Sequence, residues 1–395
     1  MSLQETPVAN RLHIGFFGRC NSGKSTLVNA FTNQEVTIVS DIAGTTTDVV
    51  QKNMEIAGLG ACVLLDTAGI DDQNDTLGKQ RIKKTKECAE KVDIAVVVFD
   101  KEDISEEVQW IEQFKKQQTP IIGVISKGDI REPSPSFIKK LEALLDEVLC
   151  IDIKKPETID ALRASLIKKQ PETPVLTITR GLVSKGDAVL LVIPQDIQAP
   201  KGRLILPQVQ TIRELLDFQC IVLATTTEEL PHTLSLLKEP PKLIIADSQI
   251  FRQVYELKPK QSQLTSFSVL FAGLKGDLPF YIESAKLIKQ LPKNAHILIA
   301  ELCSHAPLTE DIGRVKIPRL LKKILGDQIT IEMVSGADFP AHIEHYDFII
   351  QCGACMVNRQ LVQSRIAKAK QAGVPMSNYG VVIAALNGIL EEISY

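Results

Sequence analysis

Short runs of β-branched and other apolar residues alternate with helical patterns along the first 170 residues. This alternation predicts a mainly parallel sheet with helices on both faces. The predicted strands are Arg11–Phe17, Ala61–Leu65, Ile94–Phe99 and Ile121–Ile125, and the predicted helices are Lys79–Val92 and Ser136–Leu149.

A polar, proline-flanked stretch, Lys168–Thr173, then predicts a linker, because it offers nothing to bury. Two further α/β patterns follow, and the polar run Leu257–Ser262 separates them. We therefore predict an α/β fold class with three domains at residues 1–170, 174–262 and 264–395. The predicted strands are Ala188–Ile193, Ile221–Ala224, Leu243–Ala246, Ile297–Leu302, Ile329–Val334 and Asp347–Gln351, and the predicted helices are Val209–Phe218, Glu228–Leu237, Pro318–Leu325, Arg359–Gln371 and Val381–Ile393.

The charge balance changes this picture by excluding a class of partners. Lys and Arg number 45 against 48 Asp and Glu, a net charge of -3, so we expect no nucleic-acid partner. No apolar run reaches the roughly 18 residues of a membrane helix, and the N-terminus lacks the features of a signal peptide. We expect a cytoplasmic protein without a membrane partner, whose 8 cysteines are reduced thiols.

A phosphate-binding loop, GRCNSGKS, directly follows the first predicted strand and precedes an apolar helix. Gly18 and Gly23 allow backbone N–H groups to face the phosphates, and the helix beginning around Thr26 directs its positive end at them. Lys24 is expected to contact the β- and γ-phosphates as a catalytic residue, and the Ser25 hydroxyl to bind magnesium. The sequence therefore predicts a nucleotide site.

Two more segments supply groups that a nucleotide hydrolase needs. The sequence DTAG, residues 66–69, stands at the end of a predicted strand. Asp66 is expected to bind magnesium, and the Gly69 N–H is expected near the γ-phosphate. In the loop GTTTD, Thr45 and Thr46 are nucleotide-binding candidates, and the Thr46 hydroxyl is expected to complete the magnesium shell and to act in catalysis.

Together these segments resemble motifs of translation-factor-class GTPases, in the branch of the tRNA-modifying and ribosome-assembly GTPases. The base-reading motif Asn-Lys-x-Asp of that class stands here as Ser126, Lys127, Gly128 and Asp129. Asp129 can accept hydrogen bonds from the guanine N1 and N2 donors, which adenine lacks, so guanine selectivity is expected. Ser126 departs from the pattern.

Catalysis needs a positive charge or a positioned water near the γ-phosphate. Ile70 follows the glycine of the third motif, where Ras-like enzymes carry a water-orienting glutamine, and its side chain cannot polarise water. In the resembling branch, an asparagine two residues before the second loop glycine coordinates potassium, and Asn21 occupies that position. The resemblance implies potassium-stimulated hydrolysis of GTP.

Cysteines cluster at predicted strand ends in the third domain. Cys303 and His305 follow one strand, and Cys352 and Cys355 follow another with Cys-x-x-Cys spacing. Carboxyl ends of parallel strands form binding crevices, and three thiolates can cradle one metal group. The spacing alone leaves open both a Cys3His zinc site and an iron–sulfur cluster with an exchangeable fourth position.

A GTPase domain followed by an α/β domain and this cysteine module resembles the HydF family, GTPase scaffolds of FeFe-hydrogenase maturation, over nearly the full length. The supporting segments are Ala199–Gln208, Leu264–Ser268, Asp311–Pro318, Cys352–Met356 and Gly373–Gly380. The resemblance implies a 4Fe-4S cluster on Cys303, Cys352 and Cys355, with His305 as a further candidate, and a di-iron precursor as cargo. Gln351 replaces a family histidine and is not carried over as a ligand.

The resemblance also implies a homodimer formed by the middle domain, with radical-SAM maturases and apo FeFe-hydrogenase as partners. Two alternatives come from other classes: an RNA-associated GTPase of ribosome assembly or tRNA modification, and a zinc-stabilised regulatory GTPase in which the cysteines only fold the third domain.

Overall fold

The computed structural model describes residues 6–32, 38–42, 50–69, 76–126, 133–171, 177–194, 204–302, 311–336 and 338–395, with the backbone alone at 38–42 and 76–79. The chain divides into two compact units, residues 1–173 and residues 174–395. No helix in these ranges combines the length and the apolar content that crossing a membrane requires.

The first unit is built on one mixed sheet, which has seven strands within the described residues, in the order β2-β3-β4-β1-β5-β6-β7. Strands β2, β3 and β4 pair antiparallel, and all the other pairs are parallel. The strands are β1 Leu12–Phe17, β2 Ile38–Ile42, β3 Val50–Ile56, β4 Gly60–Asp66, β5 Ile94–Phe99, β6 Ile121–Ile125 and β7 Val148–Cys150. The helices are α1 Lys24–Thr32, α2 Thr76–Ala89, α3 Ser105–Lys116, α4 Pro135–Glu142 and α5 Pro156–Lys168.

Helices cover both faces of this sheet, as the alternating pattern predicts. On β5, Ile94, Val96 and Val98 pack on one face with α1 and α5, while Ala95 and Val97 pack on the other with α3 and α4. Successive strand residues point to opposite faces, so a continuous apolar run fills two cores at once.

The predicted helix Ser136–Leu149 is wrong in its second half. Ser134 accepts a hydrogen bond from the backbone N–H of Phe137 and so caps α4, but this helix ends at Glu142. Residues Val148–Cys150 form β7, which pairs with β6. This pairing is a tertiary effect that helical periodicity does not register.

The second unit contains two parallel sheets of four strands each within its described residues, in the orders β11-β10-β8-β9 and β13-β12-β14-β15. The strands are β8 Ala188–Val192, β9 Ile221–Thr225, β10 Leu243–Ala246, β11 Gln263–Ser266, β12 His296–Glu301, β13 Thr330–Ser335, β14 Phe348–Gln351 and β15 Met376–Asn378. The helices are α6 Leu206–Asp217, α7 Leu230–Leu236, α8 Phe251–Leu257, α9 Phe267–Lys275, α10 Leu278–Leu287, α11 Ile317–Leu325, α12 Arg359–Ala372 and α13 Tyr379–Leu386.

The junction expected at residues 262–264 falls at the start of β11, which is a strand of the first of these two sheets. The following helix, α9, packs with Phe267 and Phe271 in the core beneath that sheet. Its residues Val269 and Ala272 belong to a second core, which continues through the other sheet. The polar run Leu257–Ser262 therefore begins at the last residue of α8 and connects this helix to a strand of the same sheet as β8, β9 and β10.

The predicted helix Val381–Ile393 is also wrong in its extent. Helix α13 begins at Tyr379 and ends at Leu386, and Gly388 adopts a φ of 74°. Glycine takes this left-handed conformation readily, and it stops helices.

Candidate functional site

The phosphate-binding loop connects β1 to α1, as its sequence predicts. Gly18 lies so close to β5 that a Cβ at this position would overlap the carbonyl oxygen of Val98. Gly23 has a φ of 95°, which L side chains rarely adopt. Both glycines are thus required by the backbone path that brings N–H groups toward a phosphate.

The Lys24 side chain is 6% exposed and lies within the curve of the loop. Its Nζ donates to the carbonyl oxygens of Gly18 at 3.0 Å and of Arg19 at 2.7 Å. The ammonium is therefore held at the phosphate end of the loop, where the sequence places its contact with the nucleotide.

The two expected magnesium ligands meet at the start of α1. The Ser25 hydroxyl donates to the Asp66 carboxylate, while Asp66 Oδ1 is buried without a hydrogen-bond partner among the described residues. Burial raises the pKa of Asp66, and the Ser25 hydrogen bond and the Lys24 charge oppose this shift. A buried carboxylate oxygen without a hydrogen-bond partner, on a carboxylate beside a hydroxyl, fits a hard divalent cation.

The DTAG segment, residues 66–69, packs closely against β1 and the phosphate loop. The Thr67 hydroxyl donates to the carbonyl oxygen of Phe16 at 2.7 Å. Gly69 lies against Cys20 of the loop, so closely that a Cβ on this glycine would be 2.5 Å from the Cys20 backbone nitrogen. The sequence does not show this contact, which makes glycine obligatory at position 69.

Ser126 connects the base-reading segment to the phosphate loop. Its hydroxyl donates to the Ser22 carbonyl oxygen at 2.6 Å and lies 3.2 Å from that of Phe99. The residue that departs from the family pattern therefore joins three segments of the site. Its position in the motif was the available signal, but its bonding partners were not predictable from it.

An ion-pair network beside the loop was missed in the sequence. Arg19 Nε lies 3.1 Å from Glu107 Oε1, and Arg19 Nη2 lies 3.3 Å from Asp103 Oδ2. Glu107 is buried in α3, and this burial raises the pKa of its carboxyl against the opposing Arg19 charge. Helix α3 itself was not predicted, and therefore neither was this support for the loop.

The remaining nucleotide-site candidates divide into two groups. Asn21 is exposed with a φ of 59°, and Thr26 is exposed in the first turn of α1. The others, Thr45, Thr46, Ile70, Lys127 and Asp129, lie outside the described residues.

The cysteine turn, residues 352–357, lies at the carboxyl end of β14. Strand β12 is its neighbour, with Ala300 opposite Gln351. Cys352 Sγ accepts a hydrogen bond from the backbone N–H of Leu302 at 3.1 Å. Leu302 is the last described residue before Cys303, which lies outside the described residues together with His305.

Gln351 is buried, and its side-chain amide lies beside Tyr281. Its Nε2 lies 3.4 Å from the Tyr281 hydroxyl, and its Oε1 has no hydrogen-bond partner among the described residues. Burial raises the pKa of Tyr281 above its usual range, with a further contribution from Cys352. The amide is thus directed at a neutral phenol.

A buried lysine, missed in the sequence, holds the cysteine turn. Lys275, at the end of α9, is 4% exposed, and its Nζ donates to the carbonyl oxygens of Ala354, Cys355 and Val357 at 2.8, 3.3 and 2.8 Å. Ala354 has a φ of 54° within this turn. The turn is therefore fixed by side-chain to backbone bonds and not by regular structure.

The donors at this turn fit a thiolate-bound metal group, because soft sulfur ligands select zinc and iron–sulfur clusters. An amide donor to Cys352 is a bond of the kind that tunes such sulfur ligands. Across the described part of the chain, no group of three His, Cys, Asp or Glu side chains converges as a metal site.

Comparisons with known proteins match three family models to the chain. The models described as the hydrogen maturase F dimerization domain and tetramerization domain match residues 178–276 and 279–393. The model described as a 50S ribosome-binding GTPase matches residues 13–127. The first two models meet just after α9 and cover the second unit.

Curated relatives match only part of the chain. The tRNA modification GTPase MnmE of Flavobacterium johnsoniae is 36% identical over 168 residues, 40% of this chain and 36% of the relative. GTPase Der of Wolinella succinogenes is 36% identical over 144 residues, 35% of this chain and 30% of the relative. The chain thus spans about a third of the length of these relatives.

Among solved structures, Era of Aquifex aeolicus bound to GDP and AlF4- is 21% identical, with a TM-score of 0.35. The match covers 57% of this chain and 98% of the Era chain.

Proposed function

Because the chain belongs to the hydrogen maturase F family, we propose that it is a GTP-hydrolysing scaffold of FeFe-hydrogenase maturation. In this function it carries a 4Fe-4S cluster and receives a di-iron precursor as cargo for the apo-hydrogenase. The observation that carries the proposal is the combination, in one chain, of a phosphate loop with two domain models specific to this family.

The nucleotide site supplies groups for each part of GTP hydrolysis. Lys24 and the loop N–H groups bind the phosphates, and Ser25 and Asp66 bind magnesium. Thr46 completes the magnesium shell, and Asp129, with Lys127, reads the guanine base. Asn21 holds potassium, whose charge stabilises the transition state in place of the glutamine that Ras-like enzymes use.

The cysteine turn supplies ligands for the cluster. Cys303, Cys352 and Cys355 would hold it, His305 is a candidate for an exchangeable fourth ligand, and Gln351 stays bonded to Tyr281. A cluster held by three thiolates would leave one iron available to an external ligand such as the di-iron cargo. The protein's own residues orient the turn and place an amide donor on the Cys352 sulfur.

The edge strand β9 supports self-association through the middle domain. Ile221, its first residue, is 57% exposed, and among the described residues β9 pairs with β8 alone. An exposed apolar edge strand is a template for pairing with a second chain. We propose a homodimer through β9, with radical-SAM maturases and the apo-hydrogenase as further partners.

The test is anaerobic reconstitution with iron and sulfide, followed by iron and sulfide counts and by EPR of the reduced protein. About four irons per chain with a reduced-cluster signal are expected, because the proposed ligand set is that of a 4Fe-4S cluster. A variant with Cys303, Cys352 and Cys355 changed to Ala loses both. Cys150→Ala, an exposed cysteine of the first unit, is the matched control and keeps both.

Nucleotide turnover is measured in the same preparations with GTP and ATP, in potassium and in sodium. GTP is preferred and potassium stimulates hydrolysis, and Asn21→Ala removes the stimulation. Stoichiometric zinc without an EPR signal would instead favour the regulatory GTPase, and salt-sensitive RNA binding would favour the RNA-associated GTPase.

A further inference from the structure

The ammonium of Lys275 lies in the core beside the cysteine turn. Its exposure is 4%, and the end of α9 anchors it from one side. Gln363 of α12 donates its Nε2 to the Lys275 carbonyl oxygen at 2.9 Å. Both ends of this residue are therefore fixed to the chain segment that carries and follows the cysteines.

The hydrogen-bond geometry matches the ammonium to the turn. A lysine ammonium has three donors, and three carbonyl oxygens of the turn lie within 3.3 Å of Nζ. Ala354, between the two cysteines, has a φ of 54°, a conformation that residues with a Cβ rarely adopt. The lysine holds the turn in a shape that its own sequence does not favour.

Burying an ammonium is costly unless negative charge compensates it. An anionic metal group bound to Cys352 and Cys355 would place such charge next to the turn. Lys275 and the cysteines also belong to different family models: Lys275 lies within the dimerization match, and Cys352 and Cys355 lie within the tetramerization match.

We propose that Lys275 is a positioning residue for the metal site: it fixes the turn that presents Cys352 and Cys355, and it places a positive charge at the carbonyl oxygens of this turn. The inference rests on the proposed function, since it assumes a thiolate-bound metal group at the turn. It adds a residue from the dimerization match to the support of that group.

The experiment compares the full-length wild-type protein with Lys275→Met and with Lys322→Met, which removes an exposed lysine of α11. In the apo protein, hydrogen–deuterium exchange of residues 353–358 is expected to be at least tenfold faster in Lys275→Met than in the other two. Anaerobic titration with Co²⁺, followed through its thiolate charge-transfer absorption, is expected to show at least tenfold weaker binding.

A cluster-loaded readout tests the charge itself. Removing a positive charge disfavours adding an electron to an anionic cluster, so the midpoint potential falls in Lys275→Met. A tenfold change in the equilibrium between reduced and oxidised cluster corresponds to 59 mV for one electron. Should Lys275→Met not fold, Lys275→Gln, which keeps a donor and lacks the charge, takes its place.

The outcomes separate the two proposals. Unchanged exchange and unchanged cobalt affinity in the folded variant overturn the role of Lys275. Faster exchange with unchanged cobalt affinity makes it a structural residue only and also overturns the proposal. If Lys275→Met binds cobalt more weakly than the wild type, and the wild type assembles no iron–sulfur cluster, the positioning role is supported. Only the proposed iron–sulfur function then fails.

Discussion

At the scale of single residues, some charges in the nucleotide site destabilise the fold until a ligand binds, whereas some hydrogen bonds stabilise it without a ligand. Asp66 is half-buried beside Ser25, and its buried Oδ1 has no hydrogen-bond partner in the described part of the chain. Such a carboxylate costs free energy until a cation binds it. Ser126, by contrast, contributes through a short bond that joins two loops in the absence of ligand.

Asp66→Asn is expected to have opposite effects on apo stability and on turnover. Burial raises the pKa of Asp66, so its charged form destabilises the fold above that pKa, and the variant melts at a higher temperature at pH 7. Below the unfolded-state pKa, about 3.9, the gain disappears. GTP hydrolysis falls by about 100-fold because magnesium loses a ligand. Thermal melts at several pH values and a phosphate-release assay measure both effects; a lower apo melting temperature at pH 7 would contradict the assignment.

Ser126→Ala tests the bond between the base-reading segment and the phosphate loop. Loss of this part-buried hydrogen bond costs about 1 kcal/mol, so GTP is expected to bind roughly fivefold more weakly, with little change in the rate of hydrolysis at saturation. Nucleotide titration by fluorescence gives the affinity. Ser134→Ala, which removes the hydrogen bond that caps α4, serves as control; equal affinities of the two variants would rule the bond out.

At the scale of elements, parallel strands and the motifs attached to their ends were predictable, because buried apolar runs and glycine-rich loops are local signals. Strand β7 was not, since pairing with β6 decides its conformation. Strand β11 follows a polar run that resembles a linker, yet its partner β10 places it inside a sheet. Lys275 reaches the cysteine turn through a helix about 80 residues earlier in the chain, a relation that no local pattern contains.

The edge strand β9 gives a prediction at this scale. Ile221→Lys places a charge on the exposed edge without removing a core residue, and it is expected to convert a dimer into a monomer. Sedimentation velocity across a concentration series measures the change. Leu287→Lys on α10, which is 43% exposed and lies outside the dimerization match, is the control, and it should leave the dimer intact. Dimers that persist in Ile221→Lys would exclude β9 as the interface.

At the scale of the whole molecule, the division into residues 1–173 and 174–395 predicts two responses to ligands. Each unit has its own hydrophobic core, so each is expected to unfold as a separate cooperative transition.

Calorimetry of the full chain tests this division. GTP with magnesium, at about 100 times its dissociation constant, stabilises the unit that binds it by about 2.7 kcal/mol and is expected to move one transition alone. Metal at the cysteine turn is expected to move the other. The Cys352→Ala variant keeps the nucleotide-dependent shift and loses the metal-dependent one. A single transition that responds to both ligands would contradict the division.

Gln351 also determines what magnetic spectroscopy of this protein can report. A histidine ligand imprints nitrogen hyperfine couplings on a paramagnetic cluster, and at this position the chain has an amide that is bonded to Tyr281. Strong imidazole couplings in the reduced protein would therefore point to His305 and not to position 351. The substitution removes one of the two histidine contributions that the family pattern would give to this spectrum.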